Sequence, residues 1–149
     1  MLLAAALLLV QTAPAQTAPA QSTPAHMAVP KPACAATDAN LSAALAGWTA
    51  PGEAFGVGKA VMLDVTAGST GIGFRIETAG DYGIALDQAG WIDVAKAGAS
   101  APLKSVAHGH GPECSSIRKI VRFTLEPGVY RVALTNLKTA KAKVMLVAP

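Results

Sequence analysis

Hydrophobic and polar residues alternate with a period of two over most of the chain beyond residue 60. In the segment 72–76, Ile72, Phe74 and Ile76 fall on one side and Arg75 on the other, which is typical of a strand with one buried face. Gly, Pro, Asn and Asp mark turns between such segments. The pattern therefore predicts an all-β fold, an antiparallel β-sandwich of jelly-roll-like type. The predicted strands are 61–65, 72–76, 82–86, 91–94, 117–125, 129–135 and 143–147.

One short helix is predicted ahead of the strands, over residues 38–48. Asp38 or Asn40 can cap its start, Leu41 and Leu45 lie on one face, and Gly47 can end it. We therefore expect the sandwich to carry a single helix at its N-terminal end.

Two parts of the chain echo each other. Segment 74–86 and segment 123–134 both begin with Phe, pass through Glu and a Gly turn, and continue as Tyr-x-(Ile/Val)-x-Leu. The Gly permits the turn, and the Tyr ring can cover a corner where the chain folds back or crosses between sheets. Two echoes are too few for a solenoid, so they indicate the two halves of one sandwich. The pattern resembles bacterial pre-peptidase C-terminal domains and related jelly-roll sandwiches of secreted proteins, which implies an accessory or binding module.

The N-terminal region predicts export. Residues 1–10 form an uncharged apolar run, too short to cross a bilayer, and small-residue cleavage sites follow before Gln16 and Gln21. This indicates a signal peptide over 1–20, a disordered Ala/Pro linker over 21–33 and a β-sandwich domain over 34–149. We therefore expect a periplasmic or secreted protein with no membrane span in its mature part.

The charge pattern argues against a nucleic-acid partner. The formal net charge is only +3, and the chain has two Trp, two Tyr and three Phe, whereas a nucleic-acid site needs a dense basic patch with interleaved aromatic residues. Arg118, Arg122 and Arg131 occupy outward positions on predicted strands. Solubility and protection of sheet edges account for them, and the alternative is an anion-binding face.

The two cysteines, Cys34 and Cys114, predict one disulfide, because an exported chain meets an oxidising compartment. The bridge would close a loop of about 80 residues and contribute about 4 kcal/mol in the chain-entropy model. The alternative is a free Cys114 that binds metal or attacks a substrate.

The segment 106–119 carries the most varied chemistry, with the sequence VAHGHGPECSSIRK. His108 and His110 are two residues apart, so in an extended segment both imidazoles point to one side. Glu113 adds a carboxylate, and Asp93 or His26 could complete a ligand set. Two His and a carboxylate suit Zn²⁺, Cu²⁺ or Fe²⁺. The alternative is an exposed loop in which these residues have no ligand.

This segment, with 91–94 upstream, also resembles small exported proteins of sphingomonad-type alphaproteobacteria that carry the label homogentisate 1,2-dioxygenase. The resemblance extends over most of the mature chain. It implies a non-haem iron held by two His and a Glu, for which His108, His110 and Glu113 are the matching residues.

The residues themselves favour a non-catalytic binding or envelope-associated module. Its partner would be a small molecule, a metal ion or an envelope component. No Gly-x-Ser-x-Gly elbow or phosphate-binding loop is present. The alternative is a small metalloprotein built on the histidine loop, a dioxygenase if the label holds.

Overall fold

A computed structural model describes residues 33–149, and it confirms an all-β sandwich with one short helix. The signal peptide over 1–20, almost all of the 21–33 linker, and His26 lie outside the described residues. No helix in the described part of the chain is long and apolar enough to cross a membrane. The elements are a 3₁₀ helix (Ala43–Thr49) and strands β1 (Ala60–Asp64), β2 (Thr70–Ile76), β3 (Gly80–Leu86), β4 (Trp91–Lys96), β5 (Ala107–Gly109), β6 (Lys119–Leu125), β7 (Gly128–Thr135) and β8 (Lys141–Val147).

The strands form two sheets. The large sheet has the order β1-β8-β3-β6-β5, the small sheet has the order β2-β7-β4, and all neighbours are antiparallel. The inward side chains of both sheets pack into one apolar core, because alternate residues of a strand face opposite sides. Its members include Phe74, Ile84, Phe123, Val132 and Leu134.

The internal echo corresponds to a pseudo-two-fold arrangement. Strands β2, β3 and β4 of the first half correspond to β6, β7 and β8 of the second. The pair β2–β7 matches the pair β6–β3, and the pair β4–β7 matches the pair β8–β3. Phe74 of the first half lies opposite Tyr130 of the second, and Phe123 lies opposite Tyr82. Each half therefore contributes strands to both sheets.

The two echoed tyrosines close the corners where the chain crosses between sheets, as the sequence predicts. The Tyr82 hydroxyl donates to the Thr78 carbonyl at 2.8 Å, and the Tyr130 hydroxyl donates to the Glu126 carbonyl at 2.9 Å. These hydrogen bonds satisfy the polar end of each ring while its body remains in the core.

A second apolar cluster covers the outer face of the large sheet. Leu45 and Trp48 of the 3₁₀ helix pack against outward residues of β3 and β8, including Ala85 and Met145. Trp48 is 0% exposed, and the Lys143 ammonium lies 4.5 Å from its ring centroid. The helix approaches so closely that a Cβ at Gly47 would lie 1.9 Å from the Gly58 carbonyl oxygen. The large sheet is thus buried on both faces at its centre, along β3 and β8.

The start of the domain differs from the predicted helix over 38–48. The helix begins at Ala43 and is of 3₁₀ type, and the Asp38 carboxylate caps no helix. It accepts hydrogen bonds from the Ser116 backbone N–H and hydroxyl, each at 2.6 Å. The Trp48 indole N–H donates to the Ser116 hydroxyl oxygen at 2.8 Å. These three residues, the Ser116 network, join the N-terminal segment to the loop before β6.

Candidate functional site

The two sheets open into a cleft between their edge strands β4 and β5. This β4–β5 cleft has a volume of about 460 Å³. Its apolar lining comes from Ile92 on β4, Leu103 in the loop between β4 and β5, and Val121 and Phe123 on β6. Its polar lining consists of Asp93, Ser105, His108, His110 and Lys119, and Trp91 completes the wall. An apolar cavity with a few converging polar groups is typical of a small-molecule site.

Strand β5 positions the first histidine. His108 lies opposite Val121 of β6, whose side chain is buried in the core. Because directly opposed residues of neighbouring strands share a face, the His108 side chain faces the cleft. His110 follows two residues later and also lines the cleft. Both histidines therefore line the same cleft.

Trp91 is the most exposed large hydrophobic residue of the described chain, at 68%. It begins β4 directly after Gly90, where a Cβ would lie 2.6 Å from Leu137 Cδ2 and 2.9 Å from the Thr135 carbonyl oxygen. Only Gly fits this close approach, and the turn places the indole at the rim of the cleft. Trp91 alternates with the buried Ile92, so its ring lies toward solvent while the next residue packs inward.

Lys119 fixes the geometry beside the tryptophan. Its ammonium donates a hydrogen bond to the Gly90 carbonyl and lies 5.9 Å from the Trp91 ring centroid. Burial lowers the pKa of Lys119, and the nearby carboxylate of Asp93 opposes this by raising it. The positive charge is therefore held at the cleft with incomplete compensation.

The disulfide between Cys34 and Cys114 is confirmed, with the two Cα atoms 5.4 Å apart. Both sulfurs are consumed by the bridge, so Cys114 is neither a metal ligand nor a nucleophile. The bridge and the Ser116 network fix the loop that connects His110 to β6 at two points.

The proposed metal ligands are only partly brought together. His108 and His110 share the β4–β5 cleft with Asp93, whereas Glu113 is not among the lining residues. Within residues 33–149, no group of three or more His, Cys, Asp and Glu side chains could hold a metal ion. Metal binding by His108, His110 and Glu113 stays a prediction.

The three candidate anion-binding arginines lie in different places. Arg122 is on β6, and its guanidinium donates to the Asp81 carbonyl at 3.0 Å and the Ala148 carbonyl at 3.5 Å. Arg131 is an exposed residue of β7 in the other sheet. Arg118 lines a second, smaller cleft of about 340 Å³. The three arginines therefore do not form a single face, and only Arg118 lies near the β4–β5 cleft.

Sequence reasoning missed the roles of Trp91 and Lys119. A tryptophan directly after a glycine, at the start of a short strand that carries Asp93, is the signal that could have pointed to Trp91. Lys119 carries no comparable signal, because its importance depends on the contact between β6 and the turn at Gly90.

No protein-family model, curated protein or solved structure matches the chain. The chemistry of the β4–β5 cleft is therefore what indicates a function.

Proposed function

We propose that this protein is an exported, non-catalytic binding module that holds a small molecule in the β4–β5 cleft. The observation that carries the proposal is the Trp91 indole, 68% exposed at the rim of an apolar cleft. Leaving so large an apolar side chain in water is unfavourable, and aromatic residues at the rim of a concave site are typical contacts for a ligand.

The lining of the cleft supports a binding role. Val121 and Phe123 provide a floor that removes apolar ligand surface from water, and Asp93, His108 and Ser105 provide donors and acceptors at the rim. Such a combination gives affinity through apolar burial and specificity through a few polar contacts.

The rigidity of β5 and of the loop after His110 also supports a binding role. The disulfide and the Ser116 network hold the loop after His110, and β5 is paired with β6. A site that is ordered before the ligand arrives loses less conformational entropy on binding.

Export is supported by the disulfide, because such bonds persist in oxidising compartments. Intact-mass measurement of protein recovered from the periplasm should show an N-terminus near Gln16 or Gln21. Recovery of the uncleaved chain from the cytoplasm alone would contradict export.

The binding proposal is tested by blocking the cleft. The neutral dye N-phenyl-1-naphthylamine, which fluoresces in apolar sites, should bind the wild-type protein with one equivalent at saturation. Ser105→Trp places an indole in the cleft and should abolish the fluorescence. Ser100→Trp is the matched control, because Ser100 is exposed in the same loop and does not line the cleft.

Equal dye binding by both serine variants would contradict the proposal, since the dye would then sit elsewhere. Far-ultraviolet circular dichroism of each variant, unchanged from wild type, ensures that a loss of binding does not reflect unfolding.

A metalloprotein built on the histidines is the second candidate, supported by the placement of His108 and His110 on one cleft. Calorimetric titration with Cu²⁺, Zn²⁺ and Fe²⁺ at pH 7.5 separates it from the first. A tight site in the wild type that is lost in His110→Ala would favour the metalloprotein, because the substitution removes an imidazole ligand. Weak, equal heats in wild type and variant would favour the small-molecule module.

A further inference from the structure

We infer that the ligand is an anionic amphiphile, with its apolar part in the β4–β5 cleft and its carboxylate or phosphate head in the adjoining cleft beside Arg118 and Lys119. This inference rests on the proposed function and names the ligand class for the same site.

The two clefts are neighbours. The second cleft, here called the cationic cleft, has a volume of about 340 Å³ and shares Trp91, His110 and Lys119 with the β4–β5 cleft. A molecule that extends past the tryptophan from the first cleft therefore enters the second.

The chemistry of the two clefts differs. The β4–β5 cleft has the apolar floor and the carboxylate of Asp93. The side chains lining the cationic cleft include Arg118, Lys119, His110 and Asn136, with no carboxylate among its described lining residues. Two positive charges and an amide can form hydrogen bonds with carboxylate or phosphate oxygens.

The backbone of Arg118 and the ammonium of Lys119 are held in place. The Arg118 backbone N–H donates to the Leu86 carbonyl at 2.8 Å, and the Lys119 ammonium is tied to the Gly90 carbonyl. Burial lowers the pKa of Lys119, so an anion beside it would supply the charge compensation that its surroundings give only in part.

The inference is tested with probes of one chain length and different heads: octanoate, octyl phosphate, the neutral 1-octanol and the cationic octylammonium. Binding is followed by calorimetry and by tryptophan fluorescence, in which Trp91→Phe identifies the contribution of the rim. We expect the two anions to bind about tenfold more tightly than 1-octanol and octylammonium to bind most weakly.

Arg118→Gln should reduce the affinity for octanoate and octyl phosphate about tenfold and leave 1-octanol unchanged. Arg131→Gln removes the same charge from the small sheet, outside both clefts, and should leave every affinity unchanged. Equal losses in the two arginine variants would overturn the inference, because they would reflect only the net charge.

Binding of 1-octanol as tightly as octanoate would also overturn the inference and leave the proposed function intact. If none of the four probes bound at millimolar concentration while the neutral dye did, the ligand class would again be wrong. If neither the probes nor the dye bound, the proposed function itself would fail.

Discussion

The outer faces of the two sheets differ in how much of each is exposed to solvent. The centre of the large sheet's outer face lies under the 3₁₀ helix, with Trp48 completely buried against Met145 and Ala85. The outward positions of the small sheet, among them Arg75, Arg131 and Trp91, are exposed. The chain has two tryptophans, one on each side of this divide. The covered face therefore contributes to stability, and the region around the open edge is where binding is proposed.

The strongest test of this comparison is truncation of the buried indole. Trp48→Ala removes a completely buried aromatic side chain together with its hydrogen bond to Ser116, and should lower the free energy of unfolding by about 3–5 kcal/mol. Trp91→Ala should change it by less than about 1 kcal/mol, because exposed substitutions rarely matter more. Urea denaturation of both variants measures the difference. Similar losses in the two proteins would contradict the division of roles.

Removing the disulfide should have the next largest effect. The double variant Cys34→Ser/Cys114→Ser frees the N-terminal segment and should lower the free energy of unfolding by about 2–4 kcal/mol, since the unfolded chain gains entropy. Wild-type protein unfolded in urea in the presence of dithiothreitol, which reduces the disulfide, should lose a similar amount of unfolding free energy. Two free thiols in unfolded, unreduced wild-type protein would show that the bridge does not form.

Breaking the Ser116 network should lower the free energy of unfolding by less than removing the disulfide does. Asp38→Ala removes the carboxylate that accepts two hydrogen bonds from Ser116, and should lower the free energy of unfolding by about 1–2 kcal/mol. Asp64→Ala is the control, because the ion pair of Asp64 with Lys141 is exposed and worth at most about 1 kcal/mol. Thermal and urea denaturation of the two variants measure the difference. An equal loss of unfolding free energy in both would mean that the Ser116 network does not stabilise the N-terminal segment.

The smallest effect is expected at Lys119, on the open side. Its pKa is lowered in the folded state, so between that pKa and the ordinary lysine value of about 10.4 the unfolded chain binds more protons. The Lys119 contribution to stability should therefore rise with pH through this alkaline range, where the penalty for the buried charge disappears. Lys119→Met should remove that rise. Urea midpoints of both proteins from pH 8 to 10.5 measure it, and parallel profiles would argue against a desolvated ammonium.

The strands and corners are predictable from sequence because their determinants are local. Alternation around Phe74 and Ile76 marks a strand with one buried face, and the Gly-then-Tyr spacing around Tyr82 and Tyr130 marks the corners. The pairing of Cys34 with Cys114 follows from the chain having only two cysteines.

The remaining features depend on contacts distant in sequence. Met145 and Ala85 point outward from their strands, and nothing nearby in sequence says that Trp48 covers them. Asp38 has the residue type of a helix cap, yet its partner Ser116 lies 78 residues away. Strand β5 has no apolar alternation and forms by pairing with the edge of β6, so the sequence alone predicts a loop at His108.

The place of β8 in the large sheet governs when the molecule can fold. This last strand lies between β1 and β3, and each half of the pseudo-two-fold arrangement lends strands to both sheets. A chain that has emerged only as far as β7 therefore lacks an inner strand of its larger sheet and cannot close its core. Contacts between such distant segments also form slowly. The core is therefore completed only once β8 has been made and inserted between β1 and β3.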